Sequence, residues 1–211
     1  MSSDVVTAPC CSVCRDAGIR FFIITGTFLY LLSTHLIIQS SGLGDYPTTA
    51  LAIAGQAGII TDTSRVHHVA DLDQDGERIK VEKLKSIMIT GQELLTLNPV
   101  QMAQLCQYEE IVFARATPEQ KLRIVHEFKN RGNIVAVTGD GVNDGPSLKA
   151  AHCGVAMGAG SDVAKEDADV ILLGDFSSIL IAIQYGKGLW LLPTIELSSL
   201  IILQDVSYMI I

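Results

Sequence analysis

The run Thr138-Gly139-Asp140-Gly141-Val142-Asn143-Asp144-Gly145-Pro146, entered from the apolar residues Ile134 to Val137, constrains the fold of this chain more than any other stretch. A continuous apolar segment that ends in a Gly- and Asp-rich turn, with a proline opening the next segment, reads as a buried parallel strand passing into a helix. Open parallel sheets bind ligands at that end of the strand. Two carboxylates across one turn can share a hard cation, and Mg²⁺ takes a few protein oxygens together with water and substrate phosphate. Asp140 and Asp144 are therefore candidate Mg²⁺ ligands, and Asn143 is a candidate donor to a phosphoryl oxygen. The glycines let backbone N–H groups come close to an anion. The competing reading is a capping turn, in which Asp and Asn side chains satisfy their own backbone.

The rest of the chain alternates in the manner of a parallel α/β sheet. Strands are expected at Phe21 to Ile24, Ile87 to Thr90, Ile111 to Ala114, Ile134 to Val137, Val155 to Met157 and Val170 to Leu173. Pro47 to Ala57 reads as a helix closed by Gly58. Asn98-Pro99-Val100-Gln101 and Thr117-Pro118-Glu119-Gln120 each combine an N-cap residue, a proline at the first helical position and a glutamine at the third. These are helix starts, expected to run to about Tyr108 and Gly132. Ile179, Leu180 and Ile183 mark a last amphipathic helix, and the polar stretch Thr61 to Glu82, with His67 and His68, reads as a solvated excursion.

Charge excludes one class of partner: with 23 acidic and 15 basic residues the net charge is −8, and no basic stripe is present. Nucleic acid needs a basic face, so it is not an expected partner. Five cysteines without a signal-peptide pattern fit a reducing compartment. Cys10, Cys11 and Cys14 have no second ligand pair at zinc-finger spacing.

The motif and its surroundings resemble the hinge region of P-type ATPases, cation pumps built on a haloacid-dehalogenase-type phosphorylation domain. The likeness continues through Gly154-Val155-Ala156-Met157-Gly158, Gly160-Ser161-Asp162-Val163-Ala164-Lys165-Glu166 and Ala168-Asp169-Val170-Ile171-Leu172-Leu173. Upstream it takes in Phe113-Ala114-Arg115 and Thr117-Pro118-Glu119-Gln120-Lys121-Leu122, and the wording around Ser161 is most similar to sodium/potassium-type α subunits. The resemblance implies a Rossmann-like three-layer α/β fold and a parent activity of ATP hydrolysis coupled to monovalent cation transport, with Mg²⁺ and ATP as cofactors. It places this domain on the cytoplasmic side of a membrane protein. It also implies that Lys121 faces the phosphate, that Asp140 and Asp144 hold Mg²⁺, that Asn143 contacts the phosphoryl group, and that Thr25, Gly26, Asp45 and Arg115 line the phosphate site. A transferring phosphoryl group needs cations around its oxygens, which suits Lys121 on charge alone. On the bland alternative that lysine only solvates a helix face.

Two departures qualify the resemblance. The Asp-Lys-Thr-Gly-Thr motif, whose aspartate is phosphorylated in such pumps, is absent. The chain as written is therefore expected to be inactive, a partial phosphorylation domain over residues 17–186 preceded by an unassigned segment at 1–16. Two other classes compete: a soluble Mg²⁺-dependent phosphatase of the same superfamily, and a non-catalytic module that binds phosphate or Mg²⁺. The second departure is local, because the family's Thr-Gly-Asp is split here into Thr25-Gly26 and Asp45 by residues 27–44. That insert carries the uncharged stretch Phe28 to Leu32, and then Leu36 to Ile38. It is too apolar for a loop and too short for a bilayer span, which takes about 20 residues. We read it as retained intron or a gene-model error. The apolar tail at 187–211 includes Pro193, Glu196, Gln204 and Asp205, polar interruptions that are costly inside a membrane.

Loop-closure entropy makes an insertion of this length cost only about 1–2 kcal/mol. Exposed Phe28, Leu29, Leu31, Leu32, Leu36, Ile37 and Ile38 should cost more, through aggregation. Deleting Thr27 to Gly44 is expected to raise solubility and melting temperature, measured by sedimentation and thermal unfolding; a lower melting temperature would mean that the insert is packed structure.

Overall fold

The computed structural model describes residues 4–26, 46–74, 84–174, 176–189 and 200–205. The insert at 27–44, and Asp45 with it, lie outside the described residues. Among the described residues seven strands form one parallel sheet: β1 (Arg20–Gly26), β2 (Ser86–Thr90), β3 (Glu110–Ala116), β4 (Ile134–Gly139), β5 (Cys153–Met157), β6 (Val170–Leu172) and β7 (Leu200–Asp205), in the order β2-β3-β1-β7-β4-β5-β6. Eight helices accompany them among the described residues: α1 (Asp4–Asp16), α2 (Tyr46–Gln56), α3 (Gly91–Thr96), α4 (Pro99–Leu105), α5 (Pro118–Asn130), α6 (Gly145–Ala150), α7 (Asp162–Glu166) and α8 (Ser178–Leu189). The strand and helix alternation legible in the sequence is thus the observed one, a Rossmann-like three-layer α/β domain.

Side chains of a strand alternate between the two faces of its sheet, so each strand feeds two cores. Phe22, Ile24, Ile87, Ile89, Phe113, Val135 and Val137 enter one, where α5 covers them with Ile124, Val125 and Phe128. Phe22 meets Phe128 with ring centroids 5.1 Å apart. Phe21, Ile23, Met88, Val112, Ala114 and Ala136 enter the other, beneath Ala50 and Ala54 of α2 and Ile179 of α8. α1 was not forecast, and it fills this second core with Cys10, Cys11 and Cys14. Burial pushes the Cys11 thiol up to about 12, so it stays neutral and packs as a small apolar group.

Local chemistry sets the helix starts. Asn98 and Thr117 each accept the N–H three residues on, and Gln101 and Gln120 reach back to the cap N–H, as their sequences predict. The same device at Thr90 and Glu93 starts the short α3 directly after β2. Each such cap contributes about 1 kcal/mol. In the polar excursion His67 and His68 are exposed, and His67 Nδ1 lies 2.8 Å from the buried Tyr108 hydroxyl.

From β1 the chain passes to β2 at one edge of the sheet and returns to β3 beside β1, and from β4 it winds the other way to β5 and β6. The two directions diverge between β1 and β4, and β7, from the apolar tail, fills that slot. Its register is continuous on both sides, with Ile24 opposite Asp205 and Thr138 opposite Gln204. Among the described residues no helix is long and apolar enough to cross a membrane.

Candidate functional site

The carboxyl end of β4 carries the motif, and its geometry rests on one buried ion pair. Lys121 Nζ lies 2.7 Å from Asp144 Oδ1, and the two residues are only 6% and 2% exposed. Lys121 sits in the first turn of α5, where the helix dipole disfavours a cation. Isolated burial of either charge would cost several kcal/mol, so each makes the other's position tenable. The second Asp144 oxygen, Oδ2, accepts the Gly141 N–H at 3.1 Å. Gly139 makes room for this: a Cβ there would stand 2.6 Å from Asp144 Cβ.

Residues Val142–Asp144 form a 3₁₀ turn that leads into α6, and Asn143 is exposed on it. Asp140 is half-buried, and its carbonyl accepts the Ser161 N–H at 2.7 Å, which ties the turn to the start of α7. Ser147 Oγ, in the first turns of α6, is buried without a hydrogen-bond partner among the described residues.

Thr25, Gly26 and Arg115 come together one strand beyond β7. Opposite β1, β3 carries an extra residue between Phe113 and Ala116, so the ladder bulges at Arg115. Arg115 has φ 59°, the one non-glycine residue with positive φ among those described. Its N–H, displaced from the ladder, donates to Thr25 Oγ1 at 2.8 Å. Bulges re-aim side chains next to binding sites, and the Arg115 side chain is exposed at this edge. Two strand spacings separate the β1 and β4 ends, about 10 Å.

The sequence did not announce the tether that joins these parts. Gln120 Oε1 accepts the Thr117 N–H at 2.9 Å and its Nε2 donates to Gly91 O at 2.9 Å. A Cβ on Gly91 would lie 2.3 Å from Gln120 Oε1 and 2.4 Å from Arg115 O. The ends of β2 and β3 are thereby locked together beside Lys121. The Thr117 and Gln120 cap was legible only as a helix start, since Gly91 is remote in sequence. Asp45 is the one predicted site residue that lies outside the described residues.

The donor set suits Mg²⁺. Asp140 and Asp144 supply hard oxygens from one turn, with Asp144 held by Lys121 and Gly141. Two carboxylates, with substrate and water completing the shell, is the Mg²⁺ pattern. Ser147 Oγ is a buried polar atom still lacking a partner near that turn.

The motif and the buried pair lie at the carboxyl end of β4, beside the point where the winding of the open parallel sheet reverses, which is where such sheets take their ligands. The family model for haloacid dehalogenase-like hydrolases matches residues 120–175, which contain Lys121 and the whole motif. The chain is 42% identical to the potassium-transporting ATPase alpha chain 2 of Rattus norvegicus over 181 residues, 83% of this chain and 16% of that protein. It is 41% identical to the sodium/potassium-transporting ATPase subunit alpha-4 of the same species, with the same coverage. A third relative, subunit alpha-A of Artemia franciscana, is 41% identical over 184 residues, 83% of this chain and 16% of the relative. A solved structure of the catalytic domain of the CPx-ATPase CopB-B shares 34% identity over 46% of this chain and 38% of its own, with a TM-score of 0.34. The chain belongs to the P-type ATPase family, with a haloacid-dehalogenase-like fold. It spans about a sixth of the length of these alpha chains, 16%.

Replacing Lys121 with methionine leaves the Asp144 carboxylate buried without its ammonium. Such a loss is expected to destabilise the domain by about 3–5 kcal/mol, measured by urea unfolding. Lys121→Met with Asp144→Asn should recover part of that. An unfolding midpoint unchanged in the single variant would show that the pair holds nothing together.

Proposed function

We propose that this chain is part of the phosphorylation domain of an ATP-driven pump for monovalent cations, of the sodium/potassium or potassium-transporting type. The observation that carries this reading is the buried Lys121–Asp144 pair at the switch point of the sheet. It supports a site for a phosphoryl group with Mg²⁺, and the relatives supply the reaction to which such a site belongs. In this reading the pump sits in a membrane and the domain faces the cytoplasm.

Asp140 and Asp144 would hold Mg²⁺, which when bound neutralises phosphoryl charge. Lys121 brings an ammonium with three donors, enough to hold Asp144 and a phosphoryl oxygen at once. Asn143 offers an amide from the exposed turn, and Thr25 and Gly26 offer a hydroxyl and backbone from the neighbouring strand end. Arg115, on its bulge, adds a second cation to the rim. These groups orient a phosphoryl group and shield its charge, the two contributions that dominate phosphoryl transfer. Covalent transfer also needs a carboxylate acceptor, and the sequence has no Asp-Lys-Thr-Gly-Thr. The reading therefore pairs a binding site with absence of turnover.

Calorimetric titration is expected to show weak Mg²⁺ binding, reduced by Asp140→Asn because a ligand charge is removed. An affinity equal in both proteins would favour the capping-turn reading. With ATP labelled at the γ-phosphate, the purified chain is expected to give neither turnover nor an acid-stable phosphoenzyme. Label on any aspartate overturns the assignment of inactivity.

A further inference from the structure

We propose that His152 is an acid-sensitive clasp on β4, the strand that carries the motif: neutral, it holds the start of that strand, and protonated it lets it go.

The clasp takes both backbone groups of one buried residue. At the start of β4, the Val135 carbonyl accepts the His152 N–H at 2.8 Å, and the Val135 N–H donates to His152 Nδ1 at 3.1 Å. β5 begins one residue later, with Cys153 opposite Ala136. His152 thus extends the β4–β5 ladder by one rung, with a ring nitrogen where a strand would offer a carbonyl. A carbonyl accepts at any pH, but an imidazole nitrogen accepts only while it carries no proton. A backbone N–H can only donate, so Nδ1 is the bare nitrogen and the ring proton sits on Nε2. Protonation sets two donors face to face, and the bond is lost.

The surroundings oppose a charge on the ring. Lys129, half-buried near the end of α5, donates its ammonium to the carbonyl of Ala150, two residues before His152. Burial first, and then the Lys129 charge, hold the His152 imidazole below the ordinary histidine range. Other charged groups on the neighbouring elements have partners: Arg131 has Glu127, Lys149 has Asp167, and Asp169 accepts the Gly154 N–H. The Cys153 thiol, pushed up by burial and by Asp169, is neutral. His152 is itself exposed, so protons reach it from solvent. A histidine whose folded value lies below its unfolded one, about 6.5, contributes stability above that pH and loses it as pH falls through the folded value. Acid therefore acts on the start of β4, where the Val135 N–H is left in the core without its acceptor.

Magnetic resonance of the ring nitrogens in the full chain, about one pH unit above the ordinary histidine value, is expected to find Nδ1 bare and Nε2 protonated. A proton on Nδ1 overturns the proposal without the use of any variant. Below the imidazole's measured midpoint, Val135 amide exchange, corrected for the intrinsic effect of pH, is expected to be about fivefold faster, the change that loss of one hydrogen bond produces. His152→Asn puts an amide oxygen where Nδ1 stands and does not titrate, so its corrected exchange is expected to stay constant over the same range. Exchange unchanged across the midpoint in the unaltered chain, or an equal acceleration in His152→Asn, overturns the clasp.

Discussion

The buried ion pair between Lys121 and Asp144 is the constraint on which the rest of the site depends. A lysine in the first turn of a helix works against the helix dipole, and one that is buried there has also lost its water. Only a carboxylate in contact compensates, and Asp144 is placed for that by the collapse of its side chain onto Gly139. Any side chain at residue 139 displaces Asp144, and with it the ammonium. One glycine therefore determines the charge balance of α5, of the 3₁₀ turn and of the strand end that presents Asp140.

Around that pair the scaffold is built to hold still. The Gln120 amide spans the Thr117 N–H and the Gly91 carbonyl, and Gly91 permits a backbone approach to Arg115 that no Cβ would allow. Arg115 in turn occupies a left-handed conformation, at a cost of order 1–3 kcal/mol for a residue with a Cβ. The Thr25 hydroxyl accepts the N–H that this bulge takes out of the ladder. Backbone strain and polar satisfaction are matched at the same spot, the β1–β3 end of the sheet edge.

Much of this was legible in the sequence because the relevant signals are local. Strand patterns at Phe21, Ile111 and Ile134, the caps at Asn98 and Thr117, and the motif turn are all contained within a few residues, and each became the element expected. The nonlocal features were not legible. Nothing near Gly91 says that Gln120 will pack on it, since 29 residues separate them. The segment 1–16, unassigned from sequence, carries α1, whose Cys10, Cys11 and Cys14 are buried in a core made by strands and helices far along the chain. β7 was missed for a related reason. An apolar tail with Gln204 and Asp205 looks like an interrupted membrane segment or an amphipathic extension, and only the sheet supplies the vacancy between β1 and β4 that gives it a strand's role.

A capping turn and a metal site are compatible uses of one motif, and Asp144 illustrates the first. Its Oδ2 takes the Gly141 N–H, the local bond that an Asp in a turn ordinarily makes. Its Oδ1 takes the Lys121 ammonium. Both bonds hold the carboxylate in one orientation at the carboxyl end of β4. The turn's own hydrogen bond then acts as preorganisation: it fixes the carboxylate before any ligand arrives, so less conformational entropy is lost on binding. A side chain that only solvated its loop would have no reason to be 2% exposed and paired to a buried lysine. The same bond that satisfies the backbone fixes the orientation of the Asp144 carboxylate.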